Sequence, residues 1–421
     1  MSAKRRVIIL GGGIGGIEAA IALSRKAGVS LTLVDPNAVH VWKPALHEFA
    51  AGTLNFEENV FSFEKLSKKF KFNFIQGAPS SIDRQAKSVK LSDGQTLEYD
   101  YLIVSIGGRA NDFGTPGAKE NCLFLDNIHD AENLHTTFKE AIKQARQDNK
   151  PLSLAIIGCG ATGVQLAAEL CNAIDNTPDM GPEMRRKYLK PILIEAMGRV
   201  LPTFSETVSA EAEEELTKIG YDVMTNAMVS EIDATGIKLK DGRYIEASIR
   251  IWAAGVQASA ATSIFKGLDL SRSGQIIVTP TLQSTKDPSI LAIGDCARVE
   301  TNPLPPTAQV ARQQGRYAGY IAVPTLLNGK NPIPFDYTDR GAVVVLSHYN
   351  AWGMWPSKKD FGGRGLGAKF AHFIHEILYR QHQSDLTGIF HAGKAALLGK
   401  FKPYRPRLGS GSSGEDTAHS P

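Results

Sequence analysis

The first thirty-five residues hold the pattern that most constrains how this chain can fold. Residues 5–10 form a short apolar run rich in β-branched residues, and the sequence Gly-Gly-Gly-Ile-Gly-Gly follows at once at positions 11–16. An alanine-rich stretch of helical character comes next. A second apolar run then ends in Asp35, which lies 19 residues beyond Gly16. This order predicts a strand, a glycine turn, a helix and a second strand, the unit that binds a dinucleotide.

Each residue of this unit has a physical task in binding a dinucleotide. Gly11 permits the tight turn, Gly13 lets the backbone approach a pyrophosphate, and Gly16 lets the helix pack closely on the strand. The N-terminus of the helix offers unpaired N–H groups to the phosphates. Asp35 lies where a carboxylate accepts hydrogen bonds from both hydroxyls of a ribose. Glycine turns also join ordinary strands and helices, but the flanking strands and the acid together favour a dinucleotide.

The same pattern recurs later in the chain. An apolar run at 152–157 leads into Gly158, Gly160 and Gly163, and a helix is predicted to follow. Two fingerprints predict two nucleotide sites, because a resident redox cofactor and a hydride donor would each need one.

The second unit differs from the first in the distance to its acid. Glu195 ends the next strand 32 residues beyond Gly163, which indicates an insertion at about 177–188, after the helix. Residues 249–255 form a further strand that ends in small residues, with Gly255 last.

Length and composition limit the class of protein. The 421 residues suggest two or three domains, and 43% hydrophobic with 21% charged residues is typical of a globular protein. A formal charge of +4 gives no case for binding nucleic acid. No run reaches ~18 apolar residues, so no membrane-spanning helix is predicted and direct ion pumping is not expected.

The four cysteines, Cys122, Cys159, Cys171 and Cys296, include no C-x-x-C pair and no zinc-like spacing. Neither a disulfide framework nor a metal site is therefore predicted, and a reducing compartment fits better. Cys159 is expected to be a small residue that fills the second glycine turn.

A further strand and helix are predicted near residue 300. Residues 290–295 form an apolar strand that ends in Gly294 and Asp295. Two prolines then precede Thr307, where a helix is predicted to begin, since proline is tolerated at a helix start. The N–H groups of its first turn could stabilise negative charge on a bound cofactor.

Gln309 and Gln313 fall four residues apart on one face of this predicted helix. Glutamines in such positions usually face solvent. Spacing alone therefore leaves a ligand role and a solvated surface both open.

Together these motifs make the chain resemble the type II NADH dehydrogenases, single-subunit flavin enzymes that pass electrons from NADH to a membrane quinone. The resemblance extends from residue 5 to about residue 345. It is carried by GGGIGG, GCGATGVQLAAEL, LIEAMGRVLPTF, IWAAGV, AIGDC and PPTAQVARQQG, of which the last is the most discriminating.

The resemblance implies FAD as the resident cofactor and NADH as the hydride donor. The residues implied for FAD are Gly11, Gly13, Gly16, Asp35, Lys43, Gly294, Asp295 and Ala308. The residues implied for NADH are Gly158, Gly160, Gly163, Glu195 and Gly255. Gln309 and Gln313 would line a quinone pocket, where their amides could hydrogen-bond a quinone carbonyl. A lysine at position 43 is equally compatible with a solvated surface.

One departure from the family concerns catalysis. The family usually has glutamate where this chain has Gln165, and that glutamate is proposed to link the two sites or to supply a proton. An amide keeps a hydrogen bond but cannot deliver a titratable proton near neutral pH. Either another group supplies protons, or the reaction differs from the family norm. Glu169 is retained one helical turn further on.

Two further comparisons follow from the resemblance. Glu195 would repel a 2′-phosphate and so favour NADH over NADPH, although Arg199 could weaken that preference. Disulfide reductases need a close cysteine pair beside the flavin, and sulfide:quinone oxidoreductases need a second cysteine late in the chain. The sequence has no close cysteine pair, and no cysteine follows Cys296.

The expected fold class is α/β, with two Rossmann-like dinucleotide-binding domains of which the NADH domain is inserted in the FAD domain. The expected bounds are 1–113 and 247–330 for the FAD domain, 114–246 for the NADH domain, 331–408 for a C-terminal membrane or dimer region, and 409–421 for a disordered tail. A strand is predicted at 337–345, at the start of the C-terminal region.

The C-terminal region combines an apolar stripe with basic charge. The stripe comprises Leu366, Phe370, Phe373, Ile374, Ile377 and Leu378, with a weaker continuation at Phe390, Leu397 and Phe401. Between residues 358 and 407 there are ten Lys or Arg against three Asp or Glu. This pattern suggests a helix on an anionic membrane surface, with packing on the enzyme or on a second subunit as the alternative.

The function predicted is transfer of electrons from NADH through FAD to a membrane quinone, without ion pumping, at the cytoplasmic face of the inner membrane. A homodimer is possible, and no nucleic acid partner is expected. Two alternatives stay open: a soluble NADH-dependent reductase of a small redox protein, and a flavoprotein that senses NADH.

Overall fold

The structure, a computed structural model, describes residues 4–258, 262 and 264–388. The predicted tail at 409–421 and the apolar positions Phe390, Leu397 and Phe401 lie outside these residues.

Residues 4–127 contain the first glycine turn and the strands around it. The strands are β1 (Arg5–Leu10), β2 (Val29–Asp35), β3 (Val39–Val41), β4 (Val60–Ser62), β5 (Asn73–Gln76), β6 (Pro79–Asp83), β7 (Ser88–Leu91), β8 (Thr96–Glu98), β9 (Tyr101–Val104) and β10 (Gly108–Arg109). The helices are α1 (Ile14–Ser24), α2 (Leu46–Ala51), α3 (Phe56–Asn59), α4 (Phe63–Phe70) and α5 (Ala118–Asn121).

Residues 128–258 contain the second glycine turn. The helices are α6 (Ile128–Gln147), α7 (Ala161–Asp175), α8 (Pro182–Tyr188) and α9 (Glu206–Lys218). The strands are β11 (Leu152–Ile157), β12 (Leu189–Ile194), β13 (Asp222–Met224), β14 (Val229–Ile232), β15 (Gly236–Leu239), β16 (Tyr244–Glu246), β17 (Ile249–Trp252) and β18 (Gln257–Ala258).

The remaining described residues return to the first sheet and then form the C-terminal region. The strands are β19 (Ile276–Val278), β20 (Ile290–Ala292), β21 (Ala297–Val299), β22 (Ala342–Leu346), β23 (Asn350–Met354) and β24 (Asp360–Gly362). The helices are α10 (Ala308–Tyr317), α11 (Val323–Leu327) and α12 (Gly365–Thr387).

Two open parallel sheets place the two glycine turns. The first has the order β20–β9–β1–β2–β5, and the second has the order β13–β12–β11–β17. In both, the strand before the glycine turn pairs in parallel with the strand that ends in the acid, β1 with β2 and β11 with β12. The carboxyl ends of these strands meet at one edge of each sheet, which is where open α/β sheets bind ligands. The predicted α/β fold class with Rossmann-like sheets is confirmed, while the domain bounds stay predictions.

Helix α1 is buried along nearly its whole length because α10 covers the side that the sheet leaves open. A Cβ on Gly315 of α10 would lie 2.2 Å from the carbonyl oxygen of Gly15. The π-helical turn that follows α10 is equally close, since a Cβ on Gly319 would lie 2.4 Å from the Cβ of Ala22. The absence of side chains at these positions therefore sets the distance between α1 and α10.

The C-terminal sheet contacts the residues around the second glycine turn, and α12 contacts those around the first. Trp352 of β23 donates its indole N–H to Glu211 of α9 at 2.7 Å. At the far end of α12, Lys69 of α4 donates to the carbonyl of Leu386 at 2.7 Å. The described residues include no helix long and apolar enough to cross a bilayer.

One prediction of local structure needs correction. The strand predicted from residue 337 begins at Ala342, because the backbone just before it is bound by side chains of α10 rather than by another strand. The stretch after α7 that was predicted as an insertion contains a helix, α8, in which Arg185 donates to Asp175 at 2.8 Å.

We expect Gly315→Ala to lower the free energy of unfolding by about 1–3 kcal/mol, because the new methyl group forces α10 away from α1. Gly77→Ala is the matched control, since its Cβ would meet Leu91 only at 3.4 Å. Urea unfolding of both variants measures the difference, and equal losses would show that the contact between the helices does not limit stability.

Candidate active site

The first glycine turn has the geometry of a phosphate cradle. Gly11 has a φ of +97°, and a Cβ there would lie 2.3 Å from the carbonyl oxygen of Ser105. A Cβ on Gly16 would lie 1.8 Å from the carbonyl oxygen of Gly11. Around Gly13, by contrast, no described atom lies within 4 Å of the Cβ position. The turn is therefore closed on the protein side and open on the side where a pyrophosphate would lie.

The second turn repeats this geometry. Gly158 has a φ of +103° and would place a Cβ 2.8 Å from the backbone nitrogen of Ala254. A Cβ on Gly163 would lie 1.9 Å from the carbonyl oxygen of Gly158, and the Cβ position of Gly160 has no described atom within 4 Å. The predicted glycines thus come together as two separate cradles of the same construction.

Each cradle carries its acid in the same place. Asp35 accepts a hydrogen bond from the backbone N–H of Gly12 at 2.7 Å, and Glu195 accepts one from the backbone N–H of Cys159 at 2.7 Å. Burial raises the pKa of Asp35, against the hydrogen bonds that it accepts from Asn37 and Gly12. The carboxylates are thereby fixed beside the turn, and their other lone pairs can accept from ribose hydroxyls.

The described residues beside Asp295 fit the sugar-alcohol chain of FAD. Its carboxylate accepts no hydrogen bond from any described residue, and burial raises its pKa, with the charge of Lys43 acting against that rise. A poorly solvated carboxylate without a partner is unfavourable unless a ligand hydroxyl donates to it. Lys43 is exposed and donates to the carbonyl oxygen of Gly108 at 2.8 Å, so a role at the cofactor stays a prediction.

Helix α10 points its N-terminus into the same region. The predicted start is confirmed: Thr307 is the N-cap, and its side chain accepts from the backbone N–H of Val310 at 3.3 Å. The N–H groups of Ala308 and Gln309 lie in the first turn, where no intrahelical acceptor exists. They can stabilise negative charge on a reduced flavin ring. A cavity at this point is lined by Gly294, Asp295, Pro305, Pro306, Val310 and Gln314.

Gln309 and Gln313 hold a backbone segment. Gln309 accepts from the backbone N–H of Arg340 at 2.6 Å and donates to the carbonyl of Gly341 at 3.1 Å. Gln313 accepts from the N–H of Thr338 at 3.1 Å and donates to its carbonyl at 2.9 Å. Both amides thus act as a clamp on residues 338–341.

Gln314 is a site residue that the sequence reasoning missed. Its side-chain oxygen accepts from the backbone N–H of Gly294 at 2.7 Å, and the residue is buried. It therefore fixes α10 to the end of β20, where Asp295 follows. Its position directly after Gln313, in the stretch already singled out, was the available signal.

A buried histidine pair also escaped prediction. His40 Nδ1 donates to the carbonyl oxygen of Gly12 at 2.7 Å, and His40 Nε2 is 2.8 Å from His382 Nε2. Burial lowers the pKa of His40 to about 4, so the ring is neutral and its Nε2 accepts from His382. The ring of Trp42 stacks on His382 at 4.3 Å. The first glycine turn is therefore linked to α12.

Other predicted residues are placed as follows. Gly255 has a φ of +67°, and a Cβ there would lie 2.6 Å from the ring of Phe113. Gln165 lies on the second turn of α7 and is 9% exposed. Cys159 is buried and free, and burial raises the pKa of its thiol, which disfavours the reactive thiolate.

Comparison with known proteins agrees with this geometry. The family "Pyridine nucleotide-disulphide oxidoreductase" matches residues 5–315. A type II NADH:quinone oxidoreductase of Haemophilus influenzae is 37% identical over 96% of this chain and 99% of that protein. One of Staphylococcus aureus is 30% identical over 94% of this chain and 99% of that protein. The structure of NDH2 from Plasmodium falciparum in complex with NADH has a TM-score of 0.81 at 20% identity, covering 95% of this chain and 99% of that chain.

The two cradles and the match over residues 5–315 define the class: the chain is a pyridine nucleotide-disulphide oxidoreductase. Its similarity to relatives over nearly the full length of the chain identifies a narrower family. Within that class the chain belongs to the type II NADH:quinone oxidoreductases, as its motifs had predicted.

We expect alanine at the second glycine of each turn to separate the two nucleotide sites. Gly13→Ala should reduce the FAD retained per chain, and Gly160→Ala should keep FAD while weakening NADH binding about tenfold. The reason is that each new methyl group enters the space of a pyrophosphate and touches no protein atom. Flavin absorbance per chain and NADH titration measure the two effects. Loss of FAD from Gly160→Ala would contradict the assignment.

Proposed function

We propose that this chain transfers electrons from NADH through FAD to a membrane quinone, without ion pumping. The observation that carries the proposal is the pair of matching cradles, each with its own acid, in a type II NADH:quinone oxidoreductase. The first cradle would hold FAD through Gly11, Gly13, Gly16 and Asp35. The second would hold NADH through Gly158, Gly160, Gly163 and Glu195, with Gly255 at its edge.

The side chains orient and do not form bonds to substrate. When bound, FAD would supply the redox chemistry between hydride donor and electron acceptor. Asp295 and Lys43 would hold the cofactor, and Ala308 would present a backbone N–H to its ring. Glu195 disfavours a 2′-phosphate and so selects NADH over NADPH. Gln165 keeps an amide in the position of the usual family glutamate and supplies no proton.

Gln309 and Gln313 would define the side of the site where the quinone binds. In this proposal the two glutamines border the quinone pocket and act chiefly by holding residues 338–341 against α10. Their amides already pair with that backbone, so contact with a quinone carbonyl would use only the remaining lone pair or N–H of each.

The exposed apolar side chains of α12 support membrane association. Its apolar side chains point outward, with exposures of 83% for Leu366, 59% for Phe373 and 43% for Ile377. Its buried residues are mixed, with His382 and Gln383 beside Ala371, Tyr379 and Leu386. A helix that packs only on its own protein would have the opposite arrangement. The exposed apolar face suits the interface of a bilayer or a second copy of the chain, and we place it on the cytoplasmic face of the inner membrane.

Anaerobic mixing tests the whole proposal. NADH should bleach the flavin absorbance, and a quinone should restore it within the turnover time. If NADH bleaches the flavin, a quinone fails to restore it and a small redox protein succeeds, the chain is a soluble reductase instead. A long-lived reduced state with every acceptor would indicate an NADH sensor.

We expect Gln309→Glu to lower the free energy of unfolding by about 1–3 kcal/mol, because a carboxylate cannot donate to Gly341. The same change should raise the KM for quinone while leaving the KM for NADH unchanged. Gln147→Glu, on the exposed end of α6, is the control. An unchanged stability with a raised quinone KM would show that the amide contacts the quinone and is not a clamp.

We expect Phe373→Glu to weaken binding to vesicles of anionic lipid at least tenfold, since burial of a phenylalanine side chain is worth about 1.5–3 kcal/mol. Phe113→Glu alters an aromatic side chain that is 68% exposed elsewhere on the surface and serves as the control. Vesicle flotation measures both. Equal binding by the two variants would exclude α12 as the membrane contact, and a loss of dimer in Phe373→Glu would identify a second copy as the occupant.

A further inference from the structure

The chain passes between the two cradles twice, and the two crossings lie side by side. Residues 108–113 lead from β9 of the first sheet toward the second cradle, and residues 252–258 lead back from β17 of the second sheet. The two stretches pair as the antiparallel strands β10 and β18. Asn111 also donates its backbone N–H to the carbonyl oxygen of Ala254 at 3.3 Å. We call these two stretches together the connector.

The connector touches both cofactor regions. A Cβ on Gly108 would lie 3.0 Å from the Cβ of Asp295 and 3.1 Å from Cγ1 of Val256. Asp295 is the carboxylate that fits the sugar-alcohol chain of FAD. On the other side, a Cβ on Gly158 of the second cradle would lie 2.8 Å from the backbone nitrogen of Ala254. A hydride donor held at the second cradle therefore reaches the flavin across the connector.

The ring of Phe113 lies on this route. A Cβ on Gly255 would lie 2.6 Å from Cζ of Phe113, so the ring rests on the backbone directly after Ala254. The ring is otherwise open, since Phe113 is 68% exposed, and Val256 is 48% exposed next to Gly255. Aromatic and aliphatic side chains open at the carboxyl end of a parallel strand suit a flat, apolar ligand ring.

The backbone of Phe113 has a conformation that favours glycine. Its φ is +52°, and it is the only aromatic residue among the non-glycine positions with positive φ in the described part of the chain. Two side chains hold the loop: Asn111 accepts from the backbone N–H of Phe113 at 2.9 Å, and Asp112 accepts from that of Gly114 at 3.1 Å. Lys119 in turn lies 3.4 Å from the carboxylate of Asp112. Backbone strain that the surroundings enforce is typical of ligand-binding positions.

Arg109, on the same stretch, has a side-chain nitrogen without a partner. Its Nε is buried and has no hydrogen-bond acceptor among the described residues. The hydrogen bond from Gly114 lowers the pKa of Asp112, and the charge of Arg109 acts in the same direction. Arg109 therefore lies near the residue that precedes Phe113. A buried guanidinium nitrogen without an acceptor suits a ligand that carries phosphate groups.

We propose that Phe113 binds the nicotinamide end of NADH, a role that rests on the proposed function. The adenosine end would be held at Glu195, and the diphosphate at Gly158 and Gly160. The nicotinamide ring would then lie against the exposed ring of Phe113, with Val256 beside it. Because the loop already fixes the ring of Phe113, little freedom is lost on binding. The contact directs the nicotinamide toward the flavin, since hydride transfer needs the two rings to be aligned.

Phe113→Gly tests the contact, because glycine removes the ring and adopts a positive φ without strain. In the holoenzyme, the dissociation constant of NADH should rise about tenfold, the size expected for the loss of one aromatic contact. The dependence of flavin bleaching on NADH concentration, under anaerobic conditions, measures this constant. FAD content per chain should stay the same, because the first cradle is not altered.

ADP-ribose separates this contact from the rest of the second cradle. It carries the adenosine, both phosphates and the second ribose but no nicotinamide, so it should compete with NADH. Its inhibition constant for flavin bleaching should be the same in Phe113→Gly and in the unmodified chain.

Two further variants serve as controls. Phe113→Tyr restores an aromatic ring and should recover the affinity for NADH that Phe113→Gly loses. Lys87 is exposed in the turn between β6 and β7 and has a φ of +48°. Lys87→Gly therefore makes the same backbone change at a distant position and should leave both constants as they are.

An unchanged dissociation constant for NADH in Phe113→Gly would overturn the proposal. An equal rise in the constants for NADH and ADP-ribose would also overturn it, because the ring would then support the cradle and not the nicotinamide. If a quinone fails to restore the flavin absorbance, the proposed function is wrong, while the constants for NADH and ADP-ribose still decide the role of Phe113.

Discussion

The two cofactor cradles depend on very close approaches between backbone atoms. In each cradle the third glycine lies against the carbonyl oxygen of the first, at 1.8 Å from a Cβ position in one and 1.9 Å in the other. No side chain fits there, so the helix can begin directly above the strand end. That position aims the N–H groups of the helix at the ligand and brings the N–H of the next residue to the acid. The positions of α1 and α7 above their strands follow from this constraint.

Local patterns in the sequence were enough to predict the cradles and the start of α10. Glycine spacing, the acids at the strand ends and the prolines before Thr307 each act through neighbours in the chain. The clamp formed by Gln309 and Gln313 could not be predicted in this way, because a helical glutamine can face solvent or a distant backbone segment equally well. Only the path of residues 338–341 decides between them.

Helix α12 shows the same limit. For α12 the apolar periodicity was recognised correctly, but periodicity does not say which side faces the protein. The structure exposes most of that apolar stripe and buries a mixed set of residues that includes His382 and Gln383, unlike an ordinary surface helix.

The inner face of α12 is connected to the first glycine turn by hydrogen bonds. Its His382 is bonded to His40, and His40 in turn to the carbonyl of Gly12, whose N–H holds Asp35. A displacement of α12 would therefore be transmitted through two buried hydrogen bonds to the turn that positions Asp35. Any contact made by the outer face of α12 is in this way coupled to the geometry of the first cradle.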